Sequence, residues 1–195
     1  MSGATKTVQR IPFPFAVAIT VGILLILGLF LGTWNFTTWV CFITWAEYFA
    51  FGAKPEVGKN MLPALAFGAV TAALWMANWV WFESLFNTNF SSIPATWLIL
   101  TITNFFWIAG FVWAIGKIKL VSAFGLACFN GLTLFLALYF TTLGGAKNAI
   151  PQVGPLTNPY WLILLTCIWD ILMCWAGYVA AVFNMWITFP HEVKA

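Results

Sequence analysis

Long stretches without any charged residue constrain this chain more than any other feature of its sequence. Residues 11–46 contain no Asp, Glu, Lys or Arg, and residues 84–116 contain none either. Charged residues make up 7% of the 195 residues and hydrophobic residues 63%, whereas a soluble domain carries about 25% charged residues. Because so few charges cannot cover a water-soluble surface, we expect an integral membrane protein.

Six apolar runs approach or reach the length of a membrane-spanning helix, which needs about 20 residues. Polar breaks separate them, such as Ala53–Lys59 and the Gly- and Pro-containing segment Gly144–Pro159. We therefore predict an all-α polytopic membrane protein that forms a single transmembrane domain over residues 1–195. The predicted spans are about Pro12–Trp34, Asn35–Ala53, Met61–Leu85, Pro94–Gly116, Ile118–Leu143 and Tyr160–Phe189.

The basic residues indicate how these spans are oriented. Cytoplasmic segments of membrane proteins carry an excess of Lys and Arg. With six spans, one side of the membrane receives seven basic residues and the other side receives only Lys147. This asymmetry predicts that both termini are cytoplasmic. The seven residues are Lys6, Arg10, Lys54, Lys59, Lys117, Lys119 and Lys194.

Glu83 lies at the outer end of the third predicted span, where it can reach the interface, but two other acidic residues, Glu47 and Asp170, lie deeper within predicted spans. An ionisable side chain at that depth costs about 3 kcal/mol or more, which makes it a candidate for function. No Lys or Arg lies deep in a span to pair with them, so protonation, hydrogen bonding to polar neighbours and contact with a hydrated cavity are all open. The alternative is that both carboxyls only hold helices together. Asp170 is the stronger candidate for a transport role, because Glu47 lies towards the cytoplasmic end of a short span.

Small and polar residues recur at helical spacing beside both carboxyls, and such a stripe is expected to face protein or water rather than lipid. The stripe on the sixth span consists of Thr166, Asp170, Cys174, Gly177, Ala181 and Asn184. The stripe on the second span consists of Thr37, Cys41, Thr44, Glu47 and Tyr48. The predicted solute-pathway or buried polar residues are Asp170, Glu47, Thr44, Tyr48, Asn78, Asn104, Asn130 and Thr166.

No cofactor, metal site or catalytic centre is predicted. His191 is the only histidine and lies in the C-terminal tail, so no span offers a histidine as a haem ligand or a base. Motifs of zinc proteases, serine hydrolases and phosphate-binding loops do not occur, and no basic cluster indicates nucleic-acid binding. We therefore expect that the protein is not an enzyme. The cysteines, which form no Cys-x-x-Cys pair, are expected to be buried apolar residues: Cys41, Cys128, Cys167 and Cys174.

Six spans divide into two sets of three, and an odd number of spans in each half forces the halves into opposite orientations. The second and fifth spans are then equivalent. We align Phe42–Tyr48 with Phe124–Asn130, which places Tyr48 opposite Asn130. The identity between these segments is slight, and the inverted repeat is a prediction.

A pattern of aromatic and glycine residues covers the first three predicted spans. It runs Gly28…Gly32-x-Trp34, then Trp39-x-x-Phe42-x-x-Trp45-x-x-Tyr48-Phe-Ala50-x-Gly52, then Gly58 and Gly68…Leu74-Trp75-Met76. This pattern resembles an uncharacterised bacterial inner-membrane family, domain of unknown function 1097 (the YcdZ-like proteins), best over residues 15–80. The chain departs from that family in its longer ends, in Glu47 and in its Trp-rich sixth span. The resemblance implies a protein integral to the bacterial inner (plasma) membrane, with no settled activity.

Two functions are open. The first is a channel or transporter-like protein for a small neutral or weakly charged solute, favoured by the polar stripes, the carboxyls and deep tryptophans that would form aromatic constrictions. The second is a non-transporting subunit or scaffold packed in a larger membrane complex, favoured by an aromatic content of 19%. The expected partners are membrane lipid, further copies of the chain or a membrane-complex partner, and a small-molecule solute, but no nucleic acid. The deep tryptophans are Trp45, Trp75, Trp107, Trp169 and Trp175.

Overall fold

The computed structural model describes residues 5–31, 36–86, 94–143, 158–188 and 191–194, and it confirms the predicted helical architecture. Gly32, Trp34 and Lys147, on which some of the sequence predictions depend, lie outside the described residues. The helices are α1 (Phe13–Phe30), α2 (Thr38–Ala50), α3 (Gly58–Phe86), α4 (Pro94–Lys117), α5 (Lys119–Ser122), α6 (Gly125–Ala137) and α7 (Pro159–Thr188). The remaining elements are the strands β1 (Thr5–Val8) and β2 (His191–Lys194), a 3₁₀ turn (Pro55–Val57) and a π-helical segment (Leu138–Leu143).

Within the described residues, three segments are long and apolar enough to cross a membrane by length and composition. They are α1, the segment Pro55–Leu85, which covers α3 except for Phe86, and α7. The described part of the chain therefore fits a membrane-embedded protein. By contrast, α2 has only 13 residues. It rises about 20 Å, which is less than the hydrocarbon thickness of about 30 Å.

The region of the predicted fifth span, Ile118–Leu143, is divided into α5, α6 and the π-helical segment. The backbone N–H of Phe124 donates to the carbonyl of Val121 at 2.9 Å, which tightens the chain into a turn. Gly125 begins the next helix, and glycine weakens a helix at this point because it has the greatest backbone freedom. A continuous apolar run therefore does not give one continuous helix here.

The two tails of the chain pair with each other, which the sequence did not predict. β1 and β2 are antiparallel, with Thr5 opposite Lys194 and Val8 opposite His191. The N–H of Arg10 also donates to the carbonyl of Thr188 at 2.9 Å. A two-stranded ribbon is marginally stable alone, so its formation reflects that α1 begins close to where α7 ends.

The chain forms two compact units. Unit 1 consists of Met1–Gly58 and Met173–Ala195, and unit 2 consists of Lys59–Leu172. Unit 1 therefore combines α1 and α2 with the C-terminal part of α7. Unit 2 contains nearly all of α3, the helices α4 to α6 and the N-terminal part of α7.

In unit 1, α2 and α7 cross at Gly177. A Cβ atom at this position would meet the carbonyl oxygen of Cys41 and would lie 2.9 Å from the Cβ of Thr44. The backbones approach this closely because glycine has no side chain, as is common between membrane helices. The amide of Asn184 joins α7 to α1 by donating to the hydroxyl of Thr20 at 3.3 Å.

In unit 2, α3 and α6 cross at two glycines. A Cβ atom at Gly68 of α3 would meet the carbonyl oxygen of Cys128 and would lie 2.6 Å from the backbone nitrogen of Leu132. Gly131 of α6 lies in turn against the carbonyl of Leu65. The two backbones are therefore in direct contact.

The crossings in the two units share a pattern. In each, a glycine of a long helix faces the carbonyl oxygen of a cysteine in a 13-residue helix. Each cysteine is followed by phenylalanine, in Cys41-Phe42 and in Cys128-Phe129. The two glycines begin the same pattern, Gly-x-Val-x-Ala-x-x-x-Met, over residues 68–76 and 177–185.

Candidate functional site

Both acidic residues singled out in the sequence are buried, but in different units. Glu47 is 3% exposed and belongs to α2 in unit 1, whereas Asp170 is 0% exposed and belongs to the part of α7 in unit 2. Of the other predicted residues, Thr44 and Tyr48 accompany Glu47 in unit 1. The remaining four lie in unit 2 with Asp170: Asn78, Asn104, Asn130 and Thr166.

The small-and-polar stripe of α7 is buried along its whole length, from Thr166 to Asn184. The Thr166 hydroxyl donates to the carbonyl of Leu162 at 2.8 Å, which satisfies it within its own helix. The opposite face carries exposed apolar residues, and Trp175 is among them with 51% exposure. Trp175 therefore lies on the exposed face of α7, and not in an aromatic constriction within the chain as predicted.

The polar stripe of α2 is buried as well, and it contains hydroxyls without hydrogen bonds. The Thr44 Oγ1 and the Tyr48 hydroxyl are both buried, and neither makes a hydrogen bond within the described part of the chain. A buried hydroxyl without a partner costs about 1–3 kcal/mol. The ring of Tyr48 lies edge-on to the ring of Tyr178, with centroids 5.8 Å apart.

Tyr178 and Tyr48 form a matched pair for a stability test. The Tyr178 hydroxyl donates to the carbonyl of Pro55 at 2.8 Å. We expect Tyr178→Phe to lower the free energy of unfolding by about 0.5 kcal/mol, the lower end of the range for a hydrogen bond, because the Pro55 carbonyl loses this donor but is exposed to solvent. We expect Tyr48→Phe to leave the free energy of unfolding unchanged or to raise it, because it removes a hydroxyl that makes no hydrogen bond in the described structure.

Reversible unfolding of the purified protein in mixed micelles measures both changes. Tyr160→Phe is the control, because Tyr160 lies on the same helix as Tyr178 and is 45% exposed. Equal destabilisation by Tyr48→Phe and Tyr178→Phe would contradict the prediction.

In unit 2, tryptophans and asparagines join α3 to α4. The indole N–H of Trp107 donates to the Asn78 Oδ1 at 3.0 Å. The indoles of Trp75 and Trp79 donate to the Asn104 Oδ1 at 2.7 and 3.0 Å. Because an indole N–H can only donate, these contacts fix each amide with its oxygen towards the tryptophan and its NH₂ group away from it.

The sequence predicts both asparagines as polar members of their helices but not their partners. One signal for the pairing does exist. Trp75-x-x-Asn78 in α3 and Asn104-x-x-Trp107 in α4 are mirror images of each other. On two neighbouring helices, that arrangement brings a tryptophan of each within reach of the asparagine of the other.

The two asparagines should differ in their contributions to stability. Asn104→Leu removes the oxygen that accepts from two indole N–H groups, and we expect it to lower the free energy of unfolding by about 1–2 kcal/mol. Asn78→Leu removes the oxygen that accepts from one indole N–H, that of Trp107. We therefore expect it to lower the free energy of unfolding by about half as much as Asn104→Leu does. Unfolding in mixed micelles measures both, and a larger loss for Asn78→Leu would contradict the assignment of these hydrogen bonds.

An open-sided cavity of about 490 Å³ lies between α3 and α4, and its lining residue Phe106 is 67% exposed. Two of its aromatic residues, Phe67 and Phe111, are stacked with centroids 5.7 Å apart. Its aromatic lining residues are Phe67, Phe82, Phe106, Trp107 and Phe111. Its polar lining residues are Thr71, Asn78 and Thr103, and none of the lining residues is charged.

Unit 1 contains two smaller cavities, of about 340 and 380 Å³, whose linings are almost entirely apolar. The cavity between α3 and α4 differs from them because an asparagine and two threonines reach it. All four cysteines are buried, as expected. Within the described residues, no group of three or more His, Cys, Asp or Glu residues is placed to hold a metal ion.

Comparison with known proteins identifies one family. A family model described as a protein of unknown function (DUF1097) matches residues 16–187. The matched region covers nearly all of α1 and ends one residue before the end of α7. No curated protein and no solved structure matches the chain.

Proposed function

The chain belongs to the DUF1097 family of unknown function, and from that premise we propose that it is a membrane channel or facilitator for a small neutral or weakly charged solute. The observation that carries this proposal is the cavity between α3 and α4. Pockets for small molecules are mostly apolar with a few placed polar groups, and this cavity has that character. No catalytic step is part of the proposal.

We also propose six spans with both tails on the cytoplasmic side, in the plasma membrane of a bacterium. Pairing of β1 with β2 supports an even number of crossings, because both tails then lie on one side. Three segments meet the requirements of length and composition, so an even number needs at least one further crossing among α2, α4 and the α5–α6 region. The unequal distribution of basic residues favours the cytoplasmic side for the tails.

An inverted repeat of three plus three spans is part of the same proposal. It is supported by the two glycine crossings, since α2 with α7 and α6 with α3 are equivalent pairs in such a repeat. These contacts favour a register in which Cys41 stands opposite Cys128. Tyr48 then stands opposite Phe135, and not opposite Asn130 as in the alignment from sequence.

Solute flux into proteoliposomes tests the proposal. Purified protein is reconstituted into vesicles, and the entry of a panel of small neutral, cationic and anionic solutes is compared with entry into protein-free vesicles. We expect at least one neutral or weakly charged solute to enter faster with the protein present. Equal permeability of both vesicle types across the panel would overturn the transport proposal.

A non-transporting subunit of a larger membrane complex is the second candidate. It is favoured by large apolar side chains on the lateral surface, where a partner or lipid covers them. Co-purification from native membranes with a partner at fixed stoichiometry supports this candidate. The tryptophans that are at least half exposed among the described side chains are Trp81, Trp113, Trp161, Trp175 and Trp186.

A further inference from the structure

We infer that the cavity between α3 and α4 binds a small, neutral, planar aromatic solute that carries a hydrogen-bond acceptor. This inference rests on the proposed function, since it names the class of solute for the same cavity. Size, wall chemistry, hydrogen-bonding groups and charge each restrict the ligand, and all four restrictions agree.

The size and the walls favour one aromatic ring with a short substituent. At about 490 Å³ the cavity lies at the smaller end of the range for small-molecule sites, about 300–1,000 Å³. Five aromatic side chains contribute to its lining. Aromatic rings gain more from offset-stacked or edge-on contact with another ring than from contact with an aliphatic group of equal area.

The hydrogen-bonding groups that line the cavity favour a ligand with a hydrogen-bond acceptor. The Asn78 Oδ1 is occupied by the Trp107 indole, so the side chain offers its NH₂ group, from which no described residue accepts a hydrogen bond. Thr71 uses its hydroxyl proton on the carbonyl of Phe67 at 2.8 Å, so its oxygen remains able to accept. A carboxamide complements both groups, because its carbonyl accepts and its N–H donates.

The lining residues carry no charge, which disfavours an ionic ligand. An unpaired charge between apolar helices is strongly unfavourable. Benzamide therefore serves as the probe, because it is neutral and combines a planar ring with a carboxamide. Two related probes separate its features: cyclohexanecarboxamide keeps the carboxamide without the aromatic ring, and toluene keeps the ring without the acceptor.

The experiment is calorimetric titration of each probe into the full chain in lipid nanodiscs, with the heat from empty nanodiscs subtracted. We expect saturable binding of benzamide, with cyclohexanecarboxamide and toluene each at least about tenfold weaker, which corresponds to the loss of one good interaction. Equal affinity for all three probes, or no saturable binding of benzamide, would overturn the inference.

Two pairs of variants locate the binding within the chain. Gly110 lines the cavity and Gly116 lies further along α4, and a Cβ atom at either position meets nothing within 4 Å. Gly110→Leu should fill the cavity and lower benzamide affinity at least about tenfold, whereas Gly116→Leu should leave it within about twofold. Asn78→Ala should weaken benzamide binding about tenfold, and Asn104→Ala should not, because Asn104 does not line the cavity.

Unchanged benzamide affinity in both Gly110→Leu and Asn78→Ala would place binding elsewhere and overturn the inference. Binding and flux also separate the two proposals. Benzamide binding that depends on Gly110, without solute flux in proteoliposomes, supports the inference and rejects transport. Solute flux without saturable benzamide binding rejects the inference and leaves transport standing.

Discussion

Adding a single methyl group at either glycine crossing should disrupt the fold. For Gly68→Ala and Gly177→Ala we expect the free energy of unfolding to fall by about 3 kcal/mol or more, at or above the upper end of ordinary overpacking. The new Cβ atom would meet the carbonyl oxygen of Cys128 in the first case and of Cys41 in the second. These neighbours are backbone atoms, so the contact can be relieved only if a whole helix moves.

Gly22→Ala is the control, and its effect should have the opposite sign. A Cβ atom at Gly22 of α1 meets nothing within 4 Å, so alanine there should raise the free energy of unfolding by about 0.5–1 kcal/mol. Unfolding in mixed micelles and the yield of monodisperse protein measure all three variants. If Gly68→Ala and Gly177→Ala proteins were as stable as the wild type, the helix backbones could not approach each other as closely as described at these two glycines.

Asp170→Asn should have the largest effect on transport. Asp170 is 0% exposed within the apolar helix α7, and an ionisable group inside a membrane helix is a candidate for a solute or proton pathway. The amide keeps the shape of the side chain and removes its ability to ionise. We therefore expect the flux of the transported solute to change at least about tenfold, which corresponds to a barrier change of about 1.4 kcal/mol.

Two further carboxyls provide comparisons for this result. Glu47→Gln tests the second buried carboxyl, and Glu83→Gln tests a half-buried carboxyl near the end of α3. We expect Glu83→Gln to leave solute flux within about twofold, and Glu47→Gln to lie between the other two variants. Unchanged flux in a well-folded Asp170→Asn protein would assign that carboxyl a structural role.

The helices were predictable because one physical requirement dominates this sequence. A bilayer demands apolar runs of a certain length, and those runs are visible without any knowledge of tertiary contacts. The predicted span Pro94–Gly116 and the helix Pro94–Lys117 differ by one residue. The family was also predictable, because Trp39, Trp45 and the glycines around them form a local pattern.

Features that depend on contacts between distant residues were not predictable from periodicity. Gly125 is only a weak sign of the division within Ile118–Leu143, because glycine also occurs inside membrane helices and because leucine and phenylalanine suit both sides of the break. The strands Thr5–Val8 and His191–Lys194 are each too short and too polar to predict alone. Each needs the other end of the chain as its partner.

Only part of the candidate site was predicted, because the rest of it depends on contacts between residues that are distant in the sequence. Asn78 and Asn104 were identifiable because polar residues are rare in apolar helices, and rarity is visible in a sequence. The cavity depends instead on Phe67, Phe106 and Phe111. The chain has 20 phenylalanines, and no sequence pattern distinguishes these three from the others. Only the packing of α3 against α4 distinguishes them from the others.

Unit 1 has a consequence for the synthesis of the protein, because it joins Met1–Gly58 to Met173–Ala195. α1 and α2 leave the ribosome first, but the section of α7 that packs against them is made last. At about 5–20 residues per second, the intervening chain takes roughly 10 s to make. Throughout that delay, the face of α2 that carries Cys41, Thr44 and Tyr48 has no α7 to cover it. A nascent chain interrupted before Met173 would therefore present the membrane quality-control machinery with an exposed polar helix face.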